Sequence, residues 1–301
     1  MCLLAALLLF ANLHRGDLAG FDDAVYAHEA REMLQTGDWL NVRLNGRLDF
    51  DKPPLYLWLE VLSLRAFGLN DFAAKFPAAL LGLGTILLVY GIARELTAER
   101  RIALWAMLVL TSTQYFLKYA THAMTDVPFT FFFTLAVWAY LRALNHAPHW
   151  LYLCGAAIGA GILIRSVLGL LVVGVIVGHL VVLQRFDRLR TTAWWIGALL
   201  AFGLPMIWFA PQYYWHGPQF LALHFSFTRD NLASIQPAER HWLSGLLHYP
   251  FLLLKLYWPW WPVLCAGLVL AVRRAWQQRE TAAWLLLLWV FVVVAPFSLI
   301  E

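Results

Sequence analysis

The sequence predicts an all-α, multi-pass transmembrane helical protein, and three observations carry that expectation. Only 13% of the 301 residues are Asp, Glu, Lys or Arg, against about 25% in a soluble domain. Mean hydropathy is +0.65, and apolar runs near the length of a bilayer crossing recur along the chain. Sixteen tryptophans and eleven tyrosines suit the aromatic belts at membrane surfaces. The net charge of +4 is small and sits mostly in short loops. It therefore reads as a topology signal, and no nucleic-acid partner is expected.

Apolar spans are expected at 2–13, 54–69, 76–94, 102–119, 127–144, 150–164, 166–183, 192–215, 246–271 and 282–300. Span 2–13 has no basic start and no small-residue cleavage site before His14. It reads as a first transmembrane helix (1–13) and not as a signal peptide. Four connections are basic: ARELTAERR (93–101), LRALNH (141–146), QRFDRLR (184–190) and VRRAWQQRE (272–280). Cytoplasmic loops are enriched in Lys and Arg, so all four are assigned to the cytoplasm. Two crossings must then separate each successive pair. This puts 118–126, Ile164–Ser166 and 216–245 on the outer side, and 14–75 with them. Residues 76–301 are left as the transmembrane bundle.

Span 54–69 cannot cross under this parity. It is short and carries Glu60 and Arg65 near its middle, where a charge is costly in a bilayer. It reads as an amphipathic helix in the outer interface, with Glu60 and Arg65 as a structural pair. The rival is a true crossing with the same two residues paired.

The outer loop 14–75 is too long for mere connection. Within GFDDAVYAHEAREMLQTGDW (20–39) a helix is expected over 23–35. Asp22 would be its N-cap, Phe21 and Tyr26 a hydrophobic staple, and Gly37 its C-terminal stop. Tyr26, Ala30, Met33 and Leu34 make the apolar stripe. In RLNGRLDFDKPPLYLW (43–58), Asn45-Gly46 is a turn signal. Asp51-Lys52 runs directly into Pro53-Pro54, which stiffens the backbone and starts the next helix. Asp126 and Arg165 each sit at the outer end of a helix. The loop 216–245 adds His224, Arg229, Asp230, Glu239, Arg240 and His241. All of these fall on one membrane face.

Each residue also has a plain reading. Asp22 and Asp126 suit helix caps, and Lys52 suits a snorkelling lysine. Arg165 could pair with lipid phosphates, and LYWPWWP (256–262) suits an interface belt. Cys2, Cys154 and Cys265 lie scattered in apolar segments and read as buried filler. No Cys or His spacing suggests a metal cluster. No cofactor is implied, and a divalent metal ion held by the acidic loop is left open.

The ordered set DD-x-x-Y-x-x-x-A-R-E-M, GDW-x-x-x-RLNG and F-D-K-PP resembles the first periplasmic loop of polyprenyl-phosphate-dependent glycosyltransferases of GT-C fold. That group includes the aminoarabinose transferases of lipid A and the protein O-mannosyltransferases. The likeness continues into Thr125-Asp126-x-Pro128 and Arg165 and covers most of the chain as one domain, 1–301. It implies an inner-membrane glycosyltransferase acting at the periplasmic face. The donor would be a polyprenyl-phosphate-linked sugar. The acceptor would be an envelope lipid of lipid A type, another glycan or a protein, with membrane lipids around both.

Residue by residue, the resemblance maps the catalytic acid onto Asp22, with Asp23 in place of the commoner Glu. It maps the donor-phosphate contact onto Lys52, with Asp51 where Glu is usual. Asp126 takes a positioning or catalytic role, and Tyr26 matches. Arg165, and more weakly His224 and Arg229, are donor-phosphate candidates. Val25 stands where the lipid A enzymes often have Arg, which leaves their donor and acceptor open here. The chemistry is coherent: a carboxylate deprotonates the acceptor hydroxyl, and cations stabilise the leaving phosphate. A transporter or flippase for lipid-linked sugars is the alternative, although no internal repeat is evident. A non-catalytic scaffold gives no reason for the ordered motif. The end, FVVVAPFSLIE (291–301), stops within an apolar segment, so a fragment of a longer protein, or a very reduced member, is expected.

Overall fold

The computed structural model describes residues 1–11, 13–14, 18, 21–226, 251–252 and 256–300. The expected all-α class holds. The one sheet among the described residues is a hairpin of β1 (Arg43–Leu44) and β2 (Arg47–Leu48). Its turn is Asn45-Gly46, with φ of 53° and 74°, the left-handed pair that a two-residue hairpin needs. The chain divides into two compact units, Met1–Gly169 with Thr192–His224, and Leu170–Thr191 with Phe225–Glu301.

The first unit opens with α1 (Cys2–Phe10) and α2 (Phe21–Thr36). Nine residues rise only about 13 Å, so α1 is shorter than the crossing expected over 2–13 and than a bilayer core. After the hairpin come α3 (Leu55–Phe67), α4 (Asp71–Thr97), α5 (Arg100–Thr111), α6 (Gln114–Ala120), α7 (Asp126–Asn145) and α8 (Trp150–Arg165). Among the described residues, four stretches are long and apolar enough to cross a membrane: Asp71–Thr97, Asp126–Asn145, Trp150–Leu183 and Thr192–His216. The chain is a membrane protein.

Other spans also differ from the expectation. The crossing expected at 102–119 is broken into α5 and α6. Ser112 and Thr113 turn their hydroxyls back onto Leu108 O and Val109 O at 2.7 Å, which competes with the helix ladder. The crossing expected at 76–94 starts earlier, because Asn70 caps α4 by accepting from Ala73 N at 2.9 Å. The outer loop therefore ends near residue 70.

Trp150–Leu183 is not one straight rod. A β-carbon added at Gly169 would lie 2.6 Å from Ile162 N, although seven residues of straight helix separate two positions by about 10 Å. The chain folds back where Ser166 adopts φ 42° and ψ −111°, at the turn expected over 164–166. The first unit is completed by α10 (Thr192–His216) and α11 (Pro218–His224). Gly155 and Gly159 of α8 form a G-x-x-x-G pair against α10. A β-carbon on Gly155 would fall 1.9 Å from Gly197 O. Small residues thus let the two backbones touch, the usual device where lipid offers no hydrophobic driving force.

One end of this unit is fixed by Glu95 on α4. Its carboxylate accepts from Arg142 at 2.9 Å and Asn145 at 3.1 Å, with His146 also at 3.1 Å, all from the end of α7. The basic stretches 93–101 and 141–146 therefore meet, as their shared assignment required. In the second unit, α9 (Leu171–Leu183) packs on α13 (Thr281–Ile300), which also contacts α12 (Trp261–Gln277). Of the three cysteines only Cys154 is buried, so the filler reading fails for Cys2 and Cys265.

Candidate functional site

The site lies at the start of α7, the opposite end from Glu95 and Arg142. α2 lies along α3, with Tyr26, Ala30 and Met33 in one core with Tyr56, Leu57 and Val61. The apolar stripe read from the sequence thus faces inward. Gly37 ends α2 with φ 71°, and its N–H reaches Met33 O at 3.0 Å. The following segment is tied to α10, because Trp208 Nε1 and Gln212 Nε2 donate to Leu40 O at 2.9 and 2.8 Å. Phe50 and Leu55, on either side of Lys52, pack against the same Trp208 and against Phe220.

Five residues from four segments form one hydrogen-bonded chain. The Lys52 ammonium donates to the Tyr26 phenol and lies 3.3 Å from the Asp51 carboxylate. The phenol also bonds Thr125. Thr125 Oγ1 accepts from Arg165 Nε at 3.0 Å, and Arg165 Nη2 meets Asp126 Oδ1 at 2.9 Å. Burial works against the Lys52 ammonium, but Tyr26 and Asp51 outweigh it and hold its pKa above the ordinary value. Burial raises the Tyr26 pKa against the pull of Lys52, so the phenol stays neutral. Sequence reasoning missed Thr125 as a connector. Its only signal was its place beside Asp126.

The two adjacent aspartates part company. α2 begins at Phe21, so Asp22 and Asp23 both occupy its first turn. Asp22 is therefore not the N-cap that the sequence suggested. Successive helix residues point about 100° apart. Asp22 is exposed, whereas Asp23 is 1% exposed and neither of its oxygens finds a hydrogen bond. Asp23 does not share the surface of Asp22. Burial raises its pKa, opposed by His122 and Lys75.

Below Tyr26 lies a buried acidic layer that the sequence did not disclose. Tyr26 meets Tyr56 edge-on at 5.9 Å. Glu60, one turn beyond Tyr56, is fully buried with both oxygens unpartnered. The expected pair with Arg65 does not form, since Arg65 instead lies 5.1 Å over the Trp39 ring. Burial, then Glu29 and Asp23, push the Glu60 pKa far up. Glu29 is pushed to about 8 by burial, the Asp49 charge and a hydrogen bond shared with Asp49. Such shifts mark carboxyls that stay protonated inside the fold.

Other expectations also change. Asp126 sits in the first turn of α7 behind Thr125 and makes no cap. It pairs with Arg165 instead. His224 is 5% exposed and faces Phe50 and Ser166, so it is not open to a phosphate. Arg229, with Asp230, Glu239, Arg240 and His241, lies outside the described residues. Among the described residues no three of His, Cys, Asp and Glu come together to hold a metal ion.

Residues 51–215 match the family model described as dolichyl-phosphate-mannose-protein mannosyltransferase, which is more than half of the chain. The chain belongs to this family. An uncharacterized protein of Aquifex aeolicus is 30% identical over 78% of this chain and 46% of its own length. The undecaprenyl phosphate-alpha-4-amino-4-deoxy-L-arabinose arabinosyl transferase 2 of Sodalis glossinidius is 28% identical over 99% of this chain and 54% of its own length. The crystal structure of ArnT from Cupriavidus metallidurans bound to undecaprenyl phosphate superposes with a TM-score of 0.83 at 22% identity, covering 99% of this chain and 54% of that one. The family fold is therefore the GT-C membrane fold expected from the motifs. The chain spans about half the length of the curated relatives it matches.

Proposed function

We propose that the chain carries the donor-handling part of an integral-membrane glycosyltransferase, which moves a sugar from a polyprenyl phosphate to an envelope acceptor. The observation that carries this reading is the chain of bonds from Lys52 through Tyr26 and Thr125 to Arg165 and Asp126. It holds a charged ammonium and a guanidinium together at one end of the bundle, in a member of a polyprenyl-phosphate sugar family. The names of its relatives favour transfer over the alternative of lipid-linked sugar transport.

The acceptor oxygen attacks C1 of the sugar as the C1–O bond to the phosphate breaks, with inversion. Asp22 takes the hydroxyl proton, and the lipid phosphate leaves with the bonding electron pair. Lys52 neutralises the charge that gathers on that phosphate. Asp126 orients Arg165 toward the same centre. Asp51 keeps Lys52 charged. Asp23, buried with neither oxygen hydrogen-bonded, is given no step. The opposition between this site and the basic ends of α4 and α7 supports an extracytoplasmic active face in the inner membrane. The sugar is not assigned, and Val25 is no support for an aminoarabinose donor.

The test is Asp22→Asn in the full chain, reconstituted in proteoliposomes with a polyprenyl-phosphate sugar and assayed by mass spectrometry of the product. Turnover should fall by about 10²–10⁴ while the donor still binds. Turnover that survives within a few-fold removes Asp22 as the base.

A further inference from the structure

We propose that His224 is a positioning residue: its neutral imidazole ties the segment that carries Lys52 to the segment that carries Arg165. Its Nδ1 lies 2.5 Å from Phe50 O, two residues before Lys52. Its Nε2 lies 2.6 Å from Ser166 Oγ, immediately after Arg165. A carbonyl only accepts, so Nδ1 carries the hydrogen. Nε2 is then the acceptor, and the Ser166 hydroxyl donates to it. The Phe50 carbonyl thus fixes the tautomer of the neutral ring, and the Ser166 hydroxyl adapts to it.

The surroundings make the tie rigid. The ring is 5% exposed and packs against Trp208, Phe209 and Phe220 at centroid distances of 5.4, 5.2 and 5.6 Å. Phe50 is clamped as well, its ring 5.4 Å from Phe220 and 5.0 Å from His216. Burial lowers the His224 pKa, opposed by the Phe50 bond and Asp51, which agrees with a neutral ring. Ser166 has φ 42° and ψ −111°, a conformation that a side chain rarely adopts and that neighbours must hold in place. Its bond to His224 is such a hold. Lys52 and Arg165 come from segments far apart in the chain, and this one side chain sets both.

This inference rests on the reading that Lys52 meets the donor phosphate. The test measures binding of undecaprenyl phosphate to the full chain in lipid nanodiscs by native mass spectrometry. Lys52→Ala should weaken binding clearly. Should the wild type not bind, or Lys52→Ala bind equally well, the functional reading and this inference fall together. With Lys52→Ala weak, three measurements judge the tie alone. His224→Phe keeps the aromatic packing but removes both ring nitrogens, and should weaken binding about tenfold.

His224→Asn places an amide N–H near Phe50 O and should recover most of that loss. Ser166→Gly suits the backbone conformation and removes the CH2OH group that bonds His224. It should weaken binding without lowering the unfolding temperature, a combination that a purely structural role does not produce. Binding of both His224→Phe and Ser166→Gly at the wild-type level overturns the inference. So does failure of His224→Asn to rescue, or a wild-type to His224→Asn affinity ratio that climbs as pH falls from about 8 to about 5.5, the mark of a cationic phosphate ligand.

Discussion

Replacing Glu29 by Gln should change how stability depends on pH, and the size of the effect follows from its burial. Glu29 lies against Asp49 beneath the candidate site and titrates at about 8, against an ordinary 4.5. Burial is the main cause, the Asp49 charge and hydrogen bond add to it, and Lys52 opposes it. An unfolded chain loses this proton near 4.5, whereas the folded chain keeps it until about 8. Between those values the folded state binds one proton more, so rising pH favours unfolding. The contribution is complete below the unfolded value and is lost as pH rises through the folded one. At about 1.36 kcal/mol per pH unit, the 3.5-unit gap between 4.5 and 8 amounts to about 5 kcal/mol. Gln has no proton to lose and can still donate to Asp49. The assay is thermal unfolding in detergent, followed by tryptophan fluorescence from about pH 5 to about pH 9. The variant should match the wild type at the acidic end and melt several degrees higher at the basic end. Parallel curves, or a variant that melts lower at the basic end, would refute the claim that Glu29 holds a proton.

Gly155→Ala should destabilise the first unit by at least about 1–3 kcal/mol, because the new β-carbon would meet Gly197 O at 1.9 Å and its carbonyl carbon at 2.6 Å. Gly203→Ala, whose nearest contact is Leu199 Cδ1 at 3.9 Å, should melt like the wild type, and thermal unfolding compares the two. Tyr26→Phe keeps the ring contact with Tyr56 but removes the phenol between Lys52 and Thr125. It should weaken binding of undecaprenyl phosphate about tenfold, or about 1.4 kcal/mol, and binding in nanodiscs equal to wild type would contradict the linking role of that phenol.

Local chemistry explains what the sequence made legible. Gly37 ends a helix and Asn45-Gly46 makes a hairpin because each needs a positive φ, which residues in the immediate neighbourhood dictate. The long helices α4, α7 and α10 follow from hydropathy alone, and the basic loops gave their ends. What stayed hidden depends on partners distant in the chain. Glu60 and Arg65 looked like a pair because both charges sit near the middle of one short apolar helix, but Tyr56, Glu60 and Val61 turn into the core while Arg65 turns to Trp39. Asp126 looked like a cap, yet α8 runs back along α7 and its last residue, Arg165, meets it. The break between α5 and α6 rests on two hydroxyls bonding backward, in a run whose hydropathy reads as continuous.

The paired aspartates now carry separate arguments. A base for an acceptor hydroxyl must reach a substrate that arrives from outside the fold. Asp23 is turned under α2, with burial raising its pKa, so ionising it has a cost that its neighbours only partly offset. Asp22, one residue earlier, keeps its carboxylate on the exposed side of the same turn. Both lie three to four residues before Tyr26, so the helix that presents Asp22 also fixes the phenol that holds Lys52. Rotating α2 by one residue would bury Asp22, expose Asp23 and take Tyr26 off its contact with Tyr56. The apolar stripe of Tyr26, Ala30 and Met33 therefore selects which aspartate is exposed. The proposed base is then chosen by the packing of the helix against α3, and not by any chemical difference between two identical side chains.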